Sequence, residues 1–156
     1  MSTSPNWPLT IYYDASCPLC RAEMEAMKAR DAAGVLRLVD CSAAGFDEGT
    51  IMAPGVTRAA MLIRIHAQDA AGRWLVGVPV FAAVYRAAGL RVPARLFESP
   101  WLRPFFDRAY PWIADHRYLL SRLGLPRFFR LIALRGSGPA PACAACARPS
   151  DPARHS

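Results

Sequence analysis

Leu9-Thr-Ile-Tyr-Tyr-Asp14-Ala-Ser-Cys17-Pro-Leu-Cys20-Arg-Ala-Glu-Met24 is the stretch that decides the fold. Its first five residues, rich in β-branched and aromatic side chains, predict a buried strand. The Ala- and Met-rich run after Pro18, without Gly or Pro until Gly34, predicts a helix over about 18–33. Two cysteines therefore fall where strand becomes helix. The first turn of a helix has unpaired N–H groups and the positive end of its dipole, which favour a thiolate over a thiol. With Cys17 as N-cap, Pro18 takes the first helical position, where its missing N–H costs nothing. Cys20 then lies on the same face one turn further in. Such a pair closes a disulfide without backbone movement, with Cys17 expected to be exposed for attack and Cys20 sheltered as the resolving thiol. Thiols of helix-terminal Cys-x-x-Cys pairs have pKa values lowered from about 8.5 to about 3.5–7.5, and Arg21 adds to that bias.

Other readings of the pair remain open. Haem attachment needs a His after the second cysteine, and Arg21 stands there. A structural zinc site would join Cys17 and Cys20 to a second pair, Cys143 and Cys146. That pair lies 123 positions beyond Cys20, against a usual separation of roughly 12–20. Inert structural cysteines are the third reading. The redox reading is the one carried forward, with no cofactor and no metal expected.

Three blocks together resemble the DCC family of predicted thiol-disulfide oxidoreductases: Tyr13-Asp14-x-x-Cys17-Pro-Leu-Cys20, Val39-Asp40-Cys41-Ser42, and Tyr110-x-Trp112-Ile-Ala114-x-x-Arg117-Tyr118. The resemblance spans about residues 9–123. It implies an α/β, thioredoxin-like core and a thiol-disulfide exchange reaction, but says little about substrate. Three features depart from thioredoxin itself: no Trp precedes Cys17, the proline comes first between the cysteines, and no Pro directly precedes the segment at Met61. Thioredoxin-like proteins usually place a cis-proline there to bind substrate backbone, so Thr57 to Ala60 would have to fill that place. Ser16, Pro18 and Thr57 are accordingly the residues expected to meet substrate. Asp14 either accepts a proton from the resolving thiol or bonds local N–H groups as a loop-forming Asp. In many members of the family the third block carries Asn where this chain has His116, which reads as a surface or packing residue.

At 156 residues one domain is expected. A chain of this size buries roughly 68–70% of its unfolded surface and needs no metal or disulfide to hold a core. The longest apolar run, Trp74 to Tyr85, has 12 residues and contains Gly77 and Pro79, short of the roughly 18 that span a bilayer. With no basic, apolar leader at the N-terminus, a cytoplasmic protein is expected, and in a reducing compartment Cys-x-x-Cys pairs are catalytic or metal-binding more often than structural. The net charge is +7. Residues 86–135 hold ten arginines against Glu98, Asp107 and Asp115, so 10 minus 3 places the whole excess there. An acidic partner or a peripheral contact with an anionic membrane is the expected complement, and nucleic acid ranks last for want of a reader motif.

Further along, Val35 to Val39 predicts a second strand parallel to the first. Cys41 would then fall near Cys17, either as an auxiliary thiol or as a small buried hydrophobe. The Met24 and Met27 side chains read as core. A short helix is expected around Phe46 to Met52. Met61 to His66 and Arg73 to Val76 predict an antiparallel hairpin, and a helix from Pro79 closes at Gly89. The predicted organisation is a thioredoxin-like core (βαβ plus ββα) over 9–90, an Arg- and aromatic-rich helical extension over 91–135, and a flexible tail over 136–156. The extension divides into helices at Pro93 to Phe97, Pro104 to Tyr110, Trp112 to Leu123 and Pro126 to Leu134, with Pro111 as a break. Trp101, Phe105, Phe106, Trp112, Phe128 and Phe129 are expected to pack on the core, against an alternative in which they face a membrane. Cys143 and Cys146 on the tail could exchange with the first pair, or simply be exposed.

Overall fold

A strand of alternating burial, β1 (Leu9–Tyr13), sits between two neighbours. The computed structural model describes residues 5–51, 53, 55–124, 127 and 131. On one side β1 pairs in parallel with β2 (Leu36–Asp40), with Leu9 opposite Leu36 and Tyr13 opposite Asp40. On the other it pairs antiparallel with β3 (His66–Gln68), which turns back into β4 (Trp74–Val76), giving the order β2-β1-β3-β4. The helices are α1 (Pro18–Ala29), α2 (Arg58–Ile63), α3 (Val78–Ala87), α4 (Arg91–Glu98) and α5 (Arg103–Arg122), and a 3-10 turn spans Glu48–Thr50. This is a mixed α/β arrangement of the thioredoxin-like kind, with a C-terminal helical extension.

Strand alternation sorts the two faces. Leu9, Ile11 and Tyr13 point into one core with Met24 and Met27 of α1, Ala67 of β3, and Val80 and Val84 of α3. Met24 and Met27 are fully buried core residues, each stabilising by about 1.5–3 kcal/mol relative to exposure. On the other face Tyr12 meets Trp74 at 5.3 Å between ring centroids, with the buried His66 edge-on to the same indole.

Local chemistry corrects several sequence expectations. α1 ends at Ala29, because the Asp31 carboxylate turns the chain toward β2 by accepting Val35 N (3.0 Å) and Leu36 N (2.8 Å). Such short polar side chains compete with helical bonding. Residues 61–63 are helix, with β3 starting only at His66: Thr57 Oγ1 caps α2 by accepting Ala60 N, and Arg64 leaves the helix with extended geometry. The residues just before β3 are therefore Arg64 and Ile65, so Thr57 to Ala60 do not hold the place expected of them. Pro111 does not break the extension, since α5 is one helix of 20 residues through it. A proline removes one bond to the carbonyl four residues back, and the flanking Tyr110 is fastened elsewhere, its hydroxyl accepting Ile65 N at 2.9 Å. The helix expected from Pro126 to Leu134, Phe128 and Phe129, and the tail with Cys143 and Cys146 lie outside the described residues.

The aromatics divide. Phe97 stacks against Phe81, Tyr85 and Phe106, tying α4 and α5 to α3. Trp101, Phe105 and Trp112 are 90%, 65% and 57% exposed, so the expected packing on the core fails for them. Phe105, Trp112 and Leu119 recur every seven residues, which places them in one stripe along α5.

Candidate active site

Three elements converge at the carboxyl ends of β1 and β2. Because Tyr13 and Asp40 are register partners, Asp14 and Cys41 leave the sheet side by side, and Cys41 N donates to Tyr13 O at 2.9 Å. The Asp40 carboxylate then accepts Ala15 N (3.1 Å) and Ser42 N (2.8 Å), while Ser42 Oγ accepts Ser16 N at 3.2 Å. The second sequence block is thus a bracket for the loop that carries the cysteines. Arg58 of α2 secures that bracket by donating to the carbonyls of Cys41, Ser42 and Ala43.

Asp14 is the knot of the site. Its Oδ1 accepts Ser16 N at 3.0 Å and the Ser16 hydroxyl; its Oδ2 accepts Arg117 Nη2 and Tyr118 Oη from α5, both at 3.0 Å. The Asp14 side chain is 4% and the Arg117 side chain 16% exposed, so this is a nearly buried ion pair joining residues 103 apart in sequence. Arg117 also reaches Ile63 O, and its buried Nε has no hydrogen-bond partner. The Asp14 oxygens are occupied by loop N–H, hydroxyl and guanidinium groups, which is the loop-forming reading of that residue.

Cys17 is the N-cap of α1, followed by Pro18 at the first helical position. Its sulfur accepts Cys20 N at 3.5 Å, the two cysteines approach to 3.1 Å, and both thiols are free. A hydrogen bond from the Cys20 thiol lowers the Cys17 pKa from 9.0 to about 6; burial opposes the shift, and the N–H groups of Cys20 and Leu19 and the charge of Arg117 assist it. Cys20 moves the opposite way, because it is the donor to Cys17 and is itself desolvated. The opposite directions follow from the one hydrogen bond, which favours the charge on Cys17 over Cys20. Accessibility differs from expectation: Cys17 has 0% exposed surface while Cys20 is half-buried. An open groove of about 650 Å³ runs beside Cys17, lined by Ser16 and Pro18 and by Arg21, Arg122 and Arg127.

The remaining expected residues sort by contact. Cys41 is fully buried with its sulfur 3.6 Å from Met61 Sδ, and burial, helped by the Asp40 charge, raises its pKa to about 12. It has the surroundings of a small buried hydrophobe. Thr57 caps α2. His116 is exposed, stacked on Trp112 at 4.6 Å, with Nδ1 within 2.9 Å of Trp112 O. No cluster of three metal-ligating side chains occurs among the described residues. Two groups were missed from the sequence. Arg117 and Tyr118 stood in a motif without a role, and Glu23 received none although it sits mid-way across the buried arc of α1. At about 100° per residue it falls between Leu19, Ala22 and Ala26 on one side and Cys20, Met24 and Met27 on the other. A carboxylate in that arc is itself a signal.

Two free cysteines thus stand at the first turn of a helix, at the carboxyl end of a thioredoxin-like strand. The chain belongs to the DCC1-like thiol-disulfide oxidoreductase family, which it matches over residues 11–123. Membership points to redox exchange as the reaction class. The chain is also similar to an Arabidopsis thaliana protein named only as uncharacterized and chloroplastic, at 29% identity over 86 residues. That match covers 54% of this chain and 39% of the plant protein. No solved structure matches it.

Proposed function

We propose that this protein exchanges disulfides through Cys17 as nucleophile and Cys20 as resolving thiol. The observation that carries this reading is the Cys17 sulfur at the α1 N-terminus, receiving the Cys20 N–H and thiol and the field of Arg117, all of which favour its thiolate. The thiolate attacks a substrate disulfide, one substrate sulfur leaves as thiolate, and Cys20 then attacks Cys17 to release the other. Two electrons pass to the substrate and the protein is left with a Cys17–Cys20 disulfide, which a cellular thiol must reduce. Because Cys17 is covered, substrate enters by displacing the loop neighbours Ser16 and Pro18 at the wall of the groove. Arg122 and Arg127 in that groove, beside an Arg21 already paired with Glu25, favour a substrate bearing carboxylates, and its volume lies within the roughly 300–1,000 Å³ of small-molecule sites. A reducing compartment such as the cytoplasm suits a resting dithiol. Replacing Cys20 by Ser should trap a mixed disulfide, and replacing Cys17 as well should abolish it. Unchanged exchange in Cys17→Ser sinks the assignment. A tail-assisted zinc site, the rival use of the same cysteines, would instead give stoichiometric zinc by elemental analysis, lost on removing either pair.

The exposed stripe of α5 favours a second role beside the first. Phe105, Trp112 and Leu119, with Trp101 at its head and Arg108 and Arg122 alongside, suit the surface of an anionic membrane, where apolar burial and charge attraction add. None of the described helices is long and apolar enough to cross a bilayer. Co-sedimentation with phosphatidylserine vesicles, reduced by salt and by Trp101→Ala with Phe105→Ala, is expected; no binding at low salt ends this reading.

A further inference from the structure

Cys20 and Glu23, one turn apart on α1, line the same cavity of about 60 Å³, whose walls include Leu19, Met24, Met61 and Phe81. By volume it has room for about two waters, enough to bridge a thiol and a carboxyl. Glu23 is half-buried, and Tyr85 Oη of α3 donates to its Oε1 at 2.8 Å. Burial raises its pKa from 4.5 to about 7; the Tyr85 bond opposes the shift and the charge on Cys17 adds to it. The other titratable or charged groups on this cavity are Tyr13 and Asp14 at the end of β1 and Tyr110 and Arg117 of α5. Asp14 and Arg117 hold one another, and Tyr110 is engaged with Ile65 N. Glu23 is the carboxyl of the cavity that remains available to a thiol.

We propose that Glu23 takes the proton from Cys20 when Cys20 attacks the Cys17 mixed disulfide, and returns it when the disulfide is reduced. This rests on the exchange reading above. In the forward step the Cys20 S–H bond breaks and its proton passes through cavity water to a Glu23 oxygen. The Cys20 sulfur pair forms the bond to Cys17, and the Cys17–substrate bond breaks with its electrons leaving on the substrate sulfur. The timing is built in. While Cys17 is a thiolate, its hydrogen bond holds the proton on Cys20, and its charge adds to the burial that keeps Glu23 protonated. Once Cys17 is in a mixed disulfide that charge is gone, so Glu23 and Cys20 both release their protons more readily, at the step where both are required.

The test uses the full chain with Cys143→Ser and Cys146→Ser and the aromatic disulfide 5,5′-dithiobis(2-nitrobenzoate), which releases one coloured thiolate when Cys17 attacks and a second when Cys20 resolves. The first phase reports on the exchange reading alone, and its absence overturns that reading. The second phase reports on Glu23. It is expected to accelerate through the ionisation of Glu23. In Glu23→Gln, which keeps the volume and an acceptor for Tyr85, it should be roughly tenfold or more slower and lose that pH dependence. Tyr85→Phe removes a bond that lowers the Glu23 pKa, so its second-phase midpoint should move to higher pH. A structural bond alone would shift neither midpoint. A Glu23→Gln second phase with wild-type rate and midpoint, or a Tyr85→Phe midpoint unmoved, overturns the proposal while leaving a normal first phase intact.

Discussion

The sheet with α1 and α3 and the long helix α5 are held by different forces. Every strand but the edge strand β4 places at least one residue fully out of solvent, whereas no residue of the 20 in α5 is fully buried. α5 is fastened instead by aromatic contacts through Phe106 and Tyr110 and by Arg117 and Tyr118 closing on Asp14. Core burial holds the first region, while aromatic contacts and a few polar anchors hold the second, which brings the Arg117 charge to the thiols. Arg117, whose field favours the Cys17 thiolate, belongs to the less buried region. The chemistry of the pair therefore depends on docking as well as on folding.

The contrast is sharpest in stability. Ile11→Ala in the fully buried centre of β1 should cost about 3–4 kcal/mol, lowering the urea midpoint of the whole domain with little change in slope. Arg117→Ala leaves Asp14 buried and unpaired, worth about 3 kcal/mol, but spent on docking. Amide exchange should rise across 103–122 while the sheet stays protected, and the Cys17 thiolate midpoint should move up. A global loss without local opening would break the distinction between the regions. Glu23→Gln reverses sign with pH. Native Glu23 holds its proton more tightly than in the unfolded chain, so its contribution is complete below about pH 4.5 and is lost as pH rises through about 7. The variant should match the parent at low pH and exceed it by roughly 2 kcal/mol in mild alkali, the figure being reduced for the exposure Glu23 retains. Gly77→Ala should cost about 1–2 kcal/mol, because Gly77 joins β4 to α3 at φ +70° and an added Cβ would stand 3.3 Å from the Tyr110 ring. Because Gly77 and Tyr110 of α5 share this contact, the effects of Gly77→Ala and Tyr110→Phe on thermal melts should not add.

What the sequence made legible was local. The strand before Asp14, the helix opened by Pro18, the parallel return at 36–40, and the helix closed before Gly89 all carry their own periodicity and caps. Met61-Leu-Ile-Arg-Ile-His66 misled because its alternation suits a strand, while the deciding features were the Thr57 cap and the anchoring of Arg58 on the Cys41 loop. The motif residues of the site were visible, but their geometry was not. Cys17 is covered and Asp14 is tied up by residues more than a hundred positions away, and such contacts leave no periodic trace. Trp101 and Trp112 are exposed where their aromatic character predicts core, because composition cannot show which aromatics find neighbours.

The separation between Asp14 and its α5 partners also sets an order of assembly. The bracket of Asp14, Ser16 and Ser42 closes loops of 2 to 26 residues, whereas the contacts of Arg117 and Tyr118 close loops of 103 and 104. Short loops close first. At translation rates of about 5–20 residues per second, α5 follows the cysteines from the ribosome by roughly 5–20 s. For that interval the nascent chain displays its dithiol without the Arg117 field, so Cys17 lacks the smallest of the influences that lower its pKa until α5 arrives. Pulsed alkylation of chains stalled before and after residue 118 would record the change.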